Sequence, residues 1–485
     1  MPGLWSAAAS VALYYLFDLL ALRGASDGVA VLAAVLGVAL SGFIGWLIGR
    51  RYSEKKAKKA FVITGRVKRL YAVSALVMAA VSLLLSLSAL AILPALWPLL
   101  LPLMVALSGL LAWPVEKLIS EFYFRDARRK LLSNPNLLRI GVTGSYGKTT
   151  VKHILGAILS EKYPTLITPA SYNTPMGVSR TIREKLTPSY QVFVGEMGAR
   201  HVGDIKEMCR LVRPTIGVLT SVGPQHLDTF KTIERVAGTK YELIEALPKD
   251  GHAYFIDDGA LCRQLYGRTK KPKTLVSLKP GDADVWSENI SVSATGSAFD
   301  LCTRGKGRVS CHTRLLGEHS IVNILLASAV ALDAGLSLKQ VMHGVEKLEP
   351  VKSRLELISR PGTFTIINDA FNSNPVGSKA ALRVLKEFPE RRIIITPGMV
   401  ELGEREAQYN REFGQAIAQS ADIAIVVGKK HVQPILEGLA QAGFPRENTY
   451  QVDSLDASTR LLGRIARPTD TVLYENDLPD HYQEA

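Results

Sequence analysis

A lysine and two threonines follow three glycines in the run Gly141-Val-Thr-Gly144-Ser145-Tyr146-Gly147-Lys148-Thr149-Thr150. Glycines so spaced make a turn tight enough for backbone N–H groups to face an anion. The positive end of a following helix favours the same charge. The stretch before the run, 137–142, has the composition of a buried strand, and 151–159 has that of a helix. In that setting Lys148 would reach the terminal phosphates of a nucleotide, and the Thr149 hydroxyl would ligate Mg²⁺. The spacing departs from the generic G-x-x-x-x-G-K-[ST], because position 142 is valine. ATP or a close relative is the expected ligand. Lys152 and His153, just beyond the loop, are expected to be solvated.

From about residue 136 onward, strands and helices alternate as in doubly wound α/β domains. Gln191-Val-Phe-Val-Gly-Glu196 reads as an apolar strand ending in a carboxylate, and Thr215-Ile-Gly-Val-Leu-Thr as another that ends shortly before His226. Ligands in such sheets collect at the carboxyl ends of the strands, so Glu196 and His226 are expected beside the phosphate loop. Residues 283–316 lose the helical period and read as a small antiparallel insertion. An Ala/Leu-rich helix follows to about 334, then a linker over 347–354. A third region of strands, near 363–368, 392–396, 421–427 and 471–474, gives a second open α/β sheet. The expected organisation is 1–121, 122–347 and 348–485.

The first region differs in kind. Segments 4–22, 29–49, 71–93 and 96–115 are each long and apolar enough to cross a hydrocarbon core of roughly 30 Å. Residues 1–130 hold 15 Lys and Arg against 6 Asp and Glu, a net +9 of the chain's +14. The basic residues cluster at 50–69 and 117–130, which the positive-inside rule places in the cytoplasm. Four spans of a cytoplasmic membrane, with both termini and the α/β region in the cytoplasm, are therefore expected. The high charge then points to lipid rather than nucleic acid as a partner. Cysteines at 209, 262, 302 and 311 form no C-x-x-C pair and fit a reduced compartment rather than a structural zinc site.

Six motifs in order, taken together with the loop, resemble the Mur ligase family of ATP-dependent amide-forming enzymes of cell-wall assembly. They are Glu196-Met-Gly-Ala, Gly223-Pro-Gln-His226-Leu, Gly238-Thr-Lys240-Tyr-Glu242-Leu, Gly317-Glu-His319-Ser-Ile-Val-Asn323, Ser353-Arg354-Leu-Glu and Asn368-Asp369-Ala-Phe-Asn-Ser-Asn374-Pro. The resemblance covers roughly 136–478. Tyr172-Asn173-Thr174-Pro-Met-Gly177 and Gly398-Met-Val-Glu401-Leu-Gly403 look like the type that adds D-alanyl-D-alanine to the muramoyl tripeptide. Three departures stand out: Thr220-Ser221 replaces a Thr-Asn pair, Asn410 replaces a histidine, and Tyr474-Glu475-Asn476-Asp477 replaces a Lys-Gly-Ser-Arg stretch. The family's UDP-sugar domain has no counterpart, and the apolar segments occupy its place.

The resemblance implies phosphorylation of an acceptor carboxylate, then attack by an amine on the acyl phosphate. It places Gly144, Ser145, Tyr146, Gly147, Lys148, Thr149, Thr150, Asn323, Arg354 and Asp369 around ATP. Thr149 and Glu196 would hold Mg²⁺, and His226 a second Mg²⁺. Lys240 would be carbamylated by CO₂, turning a cation into an anion. Lys148, Lys240 and His226 are the expected catalytic residues, with Asn173, Thr174, Asn374 and Glu401 facing substrate. The acceptor would be a cell-wall precursor, free or lipid-linked, and the amine an amino acid or dipeptide. A ligase for another surface polymer such as poly-γ-glutamate, and a degenerate membrane scaffold, remain alternatives. An ATP-driven transporter fits poorly, because the best strand ends Gly195-Glu196-Met197 rather than Asp-Glu.

Overall fold

A computed structural model describes residues 62–86, 97–359, 362–371, 373–429 and 431–477. The chain divides into two compact units, Met1–Phe122 and Tyr123–Ala485.

In the first unit, the described residues form the helix Gly65–Ser86 and most of the helix Trp97–Leu132, which ends in the second unit. The expected spans at 4–22 and 29–49 lie outside the described residues. The expected span at 96–115 is only the first part of a longer helix. Arg125, Arg128, Arg129 and Lys130 occupy the far end of that helix, where Ala127 and Leu131 are fully buried in the core of the second unit. Among the described residues one helical segment, Pro102–Leu132, is long and apolar enough to cross a membrane. A multi-pass protein of the cytoplasmic membrane is therefore not supported. The helix continues past the expected end at 115, and only its last turns, at Ala127 and Leu131, are buried against protein; Leu103, Leu110 and Trp113 within the expected span are exposed.

The second unit is built on two sheets. The first holds β1 (Leu138–Thr143), β2 (Thr165–Ile167), β3 (Val192–Glu196), β4 (Ile216–Leu219), β5 (His252–Ile256), β6 (Lys273–Val276), β7 (Val285–Ser293), β8 (Gly296–Thr303) and β9 (Gly307–Thr313). Their spatial order is β2-β3-β1-β4-β5-β6-β7-β8-β9. The pairs from β2 to β7 are parallel, with Ile140 opposite both Val194 and Ile216. Successive residues of a strand face opposite sides, so both faces of this apolar sheet are covered. Ile140, Val142 and Val194 pack under the helices Lys148–Leu159 and Glu318–Asp333. Phe193, Leu219 and Phe255 pack under Asp204–Val212 and Ile233–Ala246. Each such side chain contributes about 1.5–3 kcal/mol by burial. The antiparallel run β7-β8-β9 falls where an insertion was expected, but it continues the sheet through the Val276–Val285 pairing.

The second sheet has the order β10-β11-β15-β12-β13-β14. Its strands are β10 (Glu356–Ile358), β11 (Thr365–Asp369), β12 (Arg392–Thr396), β13 (Ile423–Val427), β14 (Thr449–Val452) and β15 (Thr471–Glu475). All pairs are parallel except β10 with β11. β10 and β14 were not foreseen; each is short, mixed in polarity and at a sheet edge.

Two helices of this sheet, Glu406–Ala418 and Gln433–Gln441, touch through glycine. A Cβ on Gly438 would sit 2.0 Å from the Arg411 carbonyl oxygen, and one on Gly414 would sit 2.2 Å from that of Ile435. Backbone cannot yield there as a side chain can. Gly438→Ala is expected to destabilise the protein by about 1–3 kcal/mol through overpacking. A thermal melt indistinguishable from wild type would contradict this.

Candidate functional site

The phosphate loop leaves β1 at Thr143 and enters the helix Lys148–Leu159 at Gly147. Gly144 has φ +152° and Gly147 has φ +78°, and a Cβ on Gly144 would fall 1.9 Å from Thr220 Oγ1. The loop is stapled to the segment after β4. Ser145 N donates to the Ser221 carbonyl at 2.7 Å, Ser145 Oγ to that of Gly223 at 2.9 Å, and Tyr146 Oη to that of Pro224 at 2.5 Å. Thr220 Oγ1 donates to the Tyr146 carbonyl. The departure at Thr220-Ser221 thus keeps a loop-holding role, through a hydroxyl and a backbone carbonyl. Lys148 Nζ donates to the Gly144 and Ser145 carbonyls at 2.7 and 3.0 Å, and burial pushes its ammonium down to about 8.

A cleft of about 710 Å³ opens above this loop. Ser145, Tyr146, Gly147, Lys148, Thr149, Thr150, Asn173, Thr174, Glu196, His226, Lys240, Asn323, Arg354, Asp369 and Asn374 all line it. They come from both sheets and from the segment between them. Gly144 and Glu401 do not line it.

Glu196 ends β3 and is 1% exposed. Its Oε1 accepts from Asn173 Nδ2 at 3.0 Å, while Oε2 has no hydrogen-bond partner and lies 3.2 Å from Lys152 Nζ. Lys152 is fully buried, which corrects the expectation of a solvated lysine. The helix carrying it lies on the sheet, and Lys152 shares the inward stripe with Leu155 and Leu159. His153 is only partly buried, and burial takes its imidazole down to about 4.

Lys240 lies on Ile233–Ala246 and is 1% exposed. Burial, reinforced by the Lys148 charge, lowers its ammonium to about 7, against the pull of Asp204 and Glu242. Glu242 itself accepts from Gly203 N and Lys206 N at 2.8 Å each and so holds the start of Asp204–Val212. His226 has φ +52°, and its Nδ1 lies 2.5 Å from Glu401 Oε2. Arg200 Nη2 lies 3.5 Å from the other Glu401 oxygen, and Leu227 N donates to the Glu401 carbonyl at 3.1 Å. Glu401 thus meets cleft-lining residues through His226 and Arg200.

On the far wall, the Arg354 guanidinium lies 4.2 Å from the Phe371 ring centroid. Asp369 ends β11, and burial raises its carboxyl to about 6 against the pull of Arg354. Asn323 Oδ1 lies 3.0 Å from where a Gly147 Cβ would be. Thr174 and Asn374 cap helices: Thr174 Oγ1 accepts from Gly177 N at 3.3 Å, and Asn374 Oδ1 from Val376 N and Gly377 N at 3.1 and 2.8 Å. Each precedes a proline at the first helical position, a pattern legible in the sequence. Asn410, found where a histidine was expected, is buried and ties down the Met399 backbone at 2.9 and 2.8 Å.

Sequence reasoning gave no site role to Arg200, His319, Arg383 and Glu475, which also line the cleft. Glu475 stands opposite Asp369 in the β11–β15 register. It is 1% exposed, accepts from Ser373 Oγ at 2.6 Å, and is pushed well above the usual carboxylate range by burial and by Asp369. Its signal was its place at a strand end, within the stretch that departs from Lys-Gly-Ser-Arg.

The donor set suits Mg²⁺. That ion binds hard oxygens, commonly one or two carboxylates plus phosphates and water. Glu196 supplies a buried oxygen without a hydrogen bond, and the Thr149 hydroxyl lines the same cleft. Among the described residues no group of three or more His, Cys, Asp or Glu could form a metal cage, so an ion shared with phosphates fits best.

Residues 142–331 match the Mur ligase middle domain, and 353–474 match the Mur ligase, glutamate ligase domain. The UDP-N-acetylmuramoyl-tripeptide–D-alanyl-D-alanine ligase of Escherichia coli (strain K12) is 32% identical over 295 residues, 60% of this chain and 64% of that protein. The chain thus spans just under two thirds of that relative. The enzyme of the same name from Mycobacterium bovis is 30% identical over 355 residues, 69% of each chain. A crystal structure of MurF from Acinetobacter baumannii superposes with a TM-score of 0.66 at 25% identity, covering 74% of this chain and 77% of that one. The chain belongs to the Mur ligase family and within it resembles the MurF type.

Proposed function

We propose that this protein is an ATP-dependent amide ligase of cell-wall precursor synthesis, joining D-alanyl-D-alanine or a similar amine to a muramoyl-peptide carboxylate. The observation that carries this reading is the convergence of the phosphate loop, Glu196, Lys240, Arg354 and Asp369, from two sheets, on one cleft. The relatives named above lend it their printed substrates. A nucleotide domain over 122–347 and a closing domain over 348–485 are part of the same reading. No observation on the described residues favours a poly-γ-glutamate ligase or a scaffold.

In this mechanism the acceptor carboxylate attacks the γ-phosphorus of ATP and ADP leaves. The amine then attacks the acyl carbon, forming the amide and releasing phosphate and a proton. A carboxylate approaching a polyanion needs its charge offset. Residues 144–150 supply backbone N–H donors, and Lys148 exchanges the Gly144 and Ser145 carbonyls for phosphate oxygens. Asn323, Arg354 and Asp369 hold the nucleotide from the opposite wall. Thr149 and Glu196 would hold Mg²⁺, with His226 at a second ion. When bound, these ions would screen the phosphate and carboxylate charges. Glu401 fixes the His226 ring through Nδ1, leaving Nε2 as the nitrogen able to act as a ligand.

Lys240 has the environment a carbamate requires: a buried amine with ammonium character reduced to about 7, so that the neutral form is available to CO₂. Asn173 and Thr174 on one side and Asn374 on the other border the space left for the acceptor. Contact between the two halves at His226, Arg200 and Glu401 would exclude water from the acyl phosphate.

The test is ADP release by the purified full chain, with acceptor and amine added singly and together. Sustained release is expected only when both are present, with no more than about one ADP per enzyme on acceptor alone. Sustained turnover without either one would reject the ligase reading.

A further inference from the structure

We propose that Lys152 is a built-in countercharge for Glu196, so that divalent metal enters the cleft with the nucleotide's phosphates and not ahead of them. The inference rests on the nucleotide and metal reading above.

Lys152 lies one turn beyond Lys148 on the same helix, turned inward and fully buried. Its Nζ stands 3.2 Å from Glu196 Oε2 and donates to the carbonyl of Ala170, a residue with φ +43°. Ala170 opens the segment that delivers Asn173, whose Nδ2 donates to Glu196 Oε1 and whose carbonyl accepts from Gly198 N at 2.9 Å. One ammonium therefore joins three elements: the helix after the phosphate loop, the loop after β2 and the end of β3. It fixes the carboxylate from one side while Asn173 fixes it from the other.

A buried carboxylate needs a countercharge, and Lys152 supplies one within the folded chain. A free divalent ion on Glu196 would gain an oxygen that is already neutralised. It would also meet the fields of Lys148, Lys152 and Arg354, all of which act on Glu196. Lys148, Lys152 and Arg354 outnumber Glu196 and the Asp369 carboxylate that answers Arg354, so the local field opposes a free ion. A triphosphate reverses the sign of that field and brings metal and nucleotide in together. Lys152 is thus a positioning residue that both aims Glu196 and sets the order of binding.

The experiment counts bound Mn²⁺ by electron paramagnetic resonance on the full chain, with and without ADP or ATP, and follows melting temperature in Mg²⁺ alone and in MgATP. Wild type is expected to bind no stoichiometric Mn²⁺ at sub-millimolar concentration without nucleotide, and to bind it once nucleotide is added. Lys152→Met is expected to bind Mn²⁺ alone at least about tenfold more tightly than wild type. That bound reflects removal of one like charge a few ångströms away at an effective dielectric of about 20. Mg²⁺ alone should raise the melting temperature of this variant, and adding Glu196→Gln should abolish the response.

Stoichiometric Mn²⁺ on nucleotide-free wild type, lost in Glu196→Gln, would overturn the proposal, and so would an unchanged metal response in Lys152→Met. If Lys152→Met does not fold, the wild-type and Glu196→Gln measurements still decide it. Failure of MgATP to stabilise wild type would instead reject the nucleotide reading itself.

Discussion

Lys148→Ala is expected to lower turnover by at least about 10²-fold, the scale of losing one preorganised contact to a developing charge. The effect should be confined to chemistry and nucleotide binding. Lys148 faces the cleft and spends its hydrogen bonds on the Gly144 and Ser145 carbonyls of its own loop, so no packed core depends on it. The loop stays stapled through Ser145, Tyr146 and Thr220. Steady-state ADP release together with a thermal melt checks both halves. Near-normal turnover would refute the phosphate-site assignment, and a large fall in melting temperature would refute the structural independence of the residue.

Lys240→Ala should be inactive, and small carboxylates such as acetate should partly restore it by occupying the place of the carbamate. Lys240→Arg should stay inactive, because it retains a cation where an anion is required. The wild type should respond to CO₂ in a pH-dependent way. Only the neutral amine attacks CO₂, and the products are a carbamate and a proton. With the ammonium lowered to about 7, the amine is mostly neutral at pH 8 and mostly protonated at pH 6. Enzyme stripped of CO₂ should therefore regain activity with bicarbonate readily at pH 8 and poorly at pH 6. The same shift makes folding more favourable as pH rises from about 7 towards 10.5, because the unfolded chain holds the proton that the folded chain has released. Activity of Lys240→Arg near wild type, or no dependence on CO₂ at either pH, would end the carbamate assignment.

Much of this site could be read from residue types and strand order. Glu196 and His226 sit where the rule for parallel sheets places ligands, beyond the carboxyl ends of β3 and β4. The glycine spacing located the tight turn between β1 and the helix Lys148–Leu159 without any structure. Where sequence reading fell short, tertiary packing had decided. Lysine is usually solvated, yet the register of Lys152 with Leu155 and Leu159 puts it on the buried stripe. Glu475 became visible only when β15 was laid against β11, which set it beside Asp369. Glu401 lies 175 residues from His226, and no local pattern could join them. The antiparallel strands after β6 looked separate because a single pairing, Val276 with Val285, makes them part of the sheet. The helix Trp97–Leu132 outruns the expected segment 96–115 because its last turns, at Ala127 and Leu131, pack in the core of the second unit, which apolar length alone does not show.

The acyl phosphate is the step on which every assigned role depends, and it leaves an isotopic trace. The decisive measurement uses a muramoyl tripeptide whose terminal carboxylate carries ¹⁸O in both positions, incubated with the full chain, ATP, Mg²⁺ and D-alanyl-D-alanine. Mass spectrometry of the phosphate released should find one ¹⁸O in each, transferred from the carboxylate, with the other retained in the new amide carbonyl. Amide formed alongside unlabelled phosphate would contradict activation through an acyl phosphate.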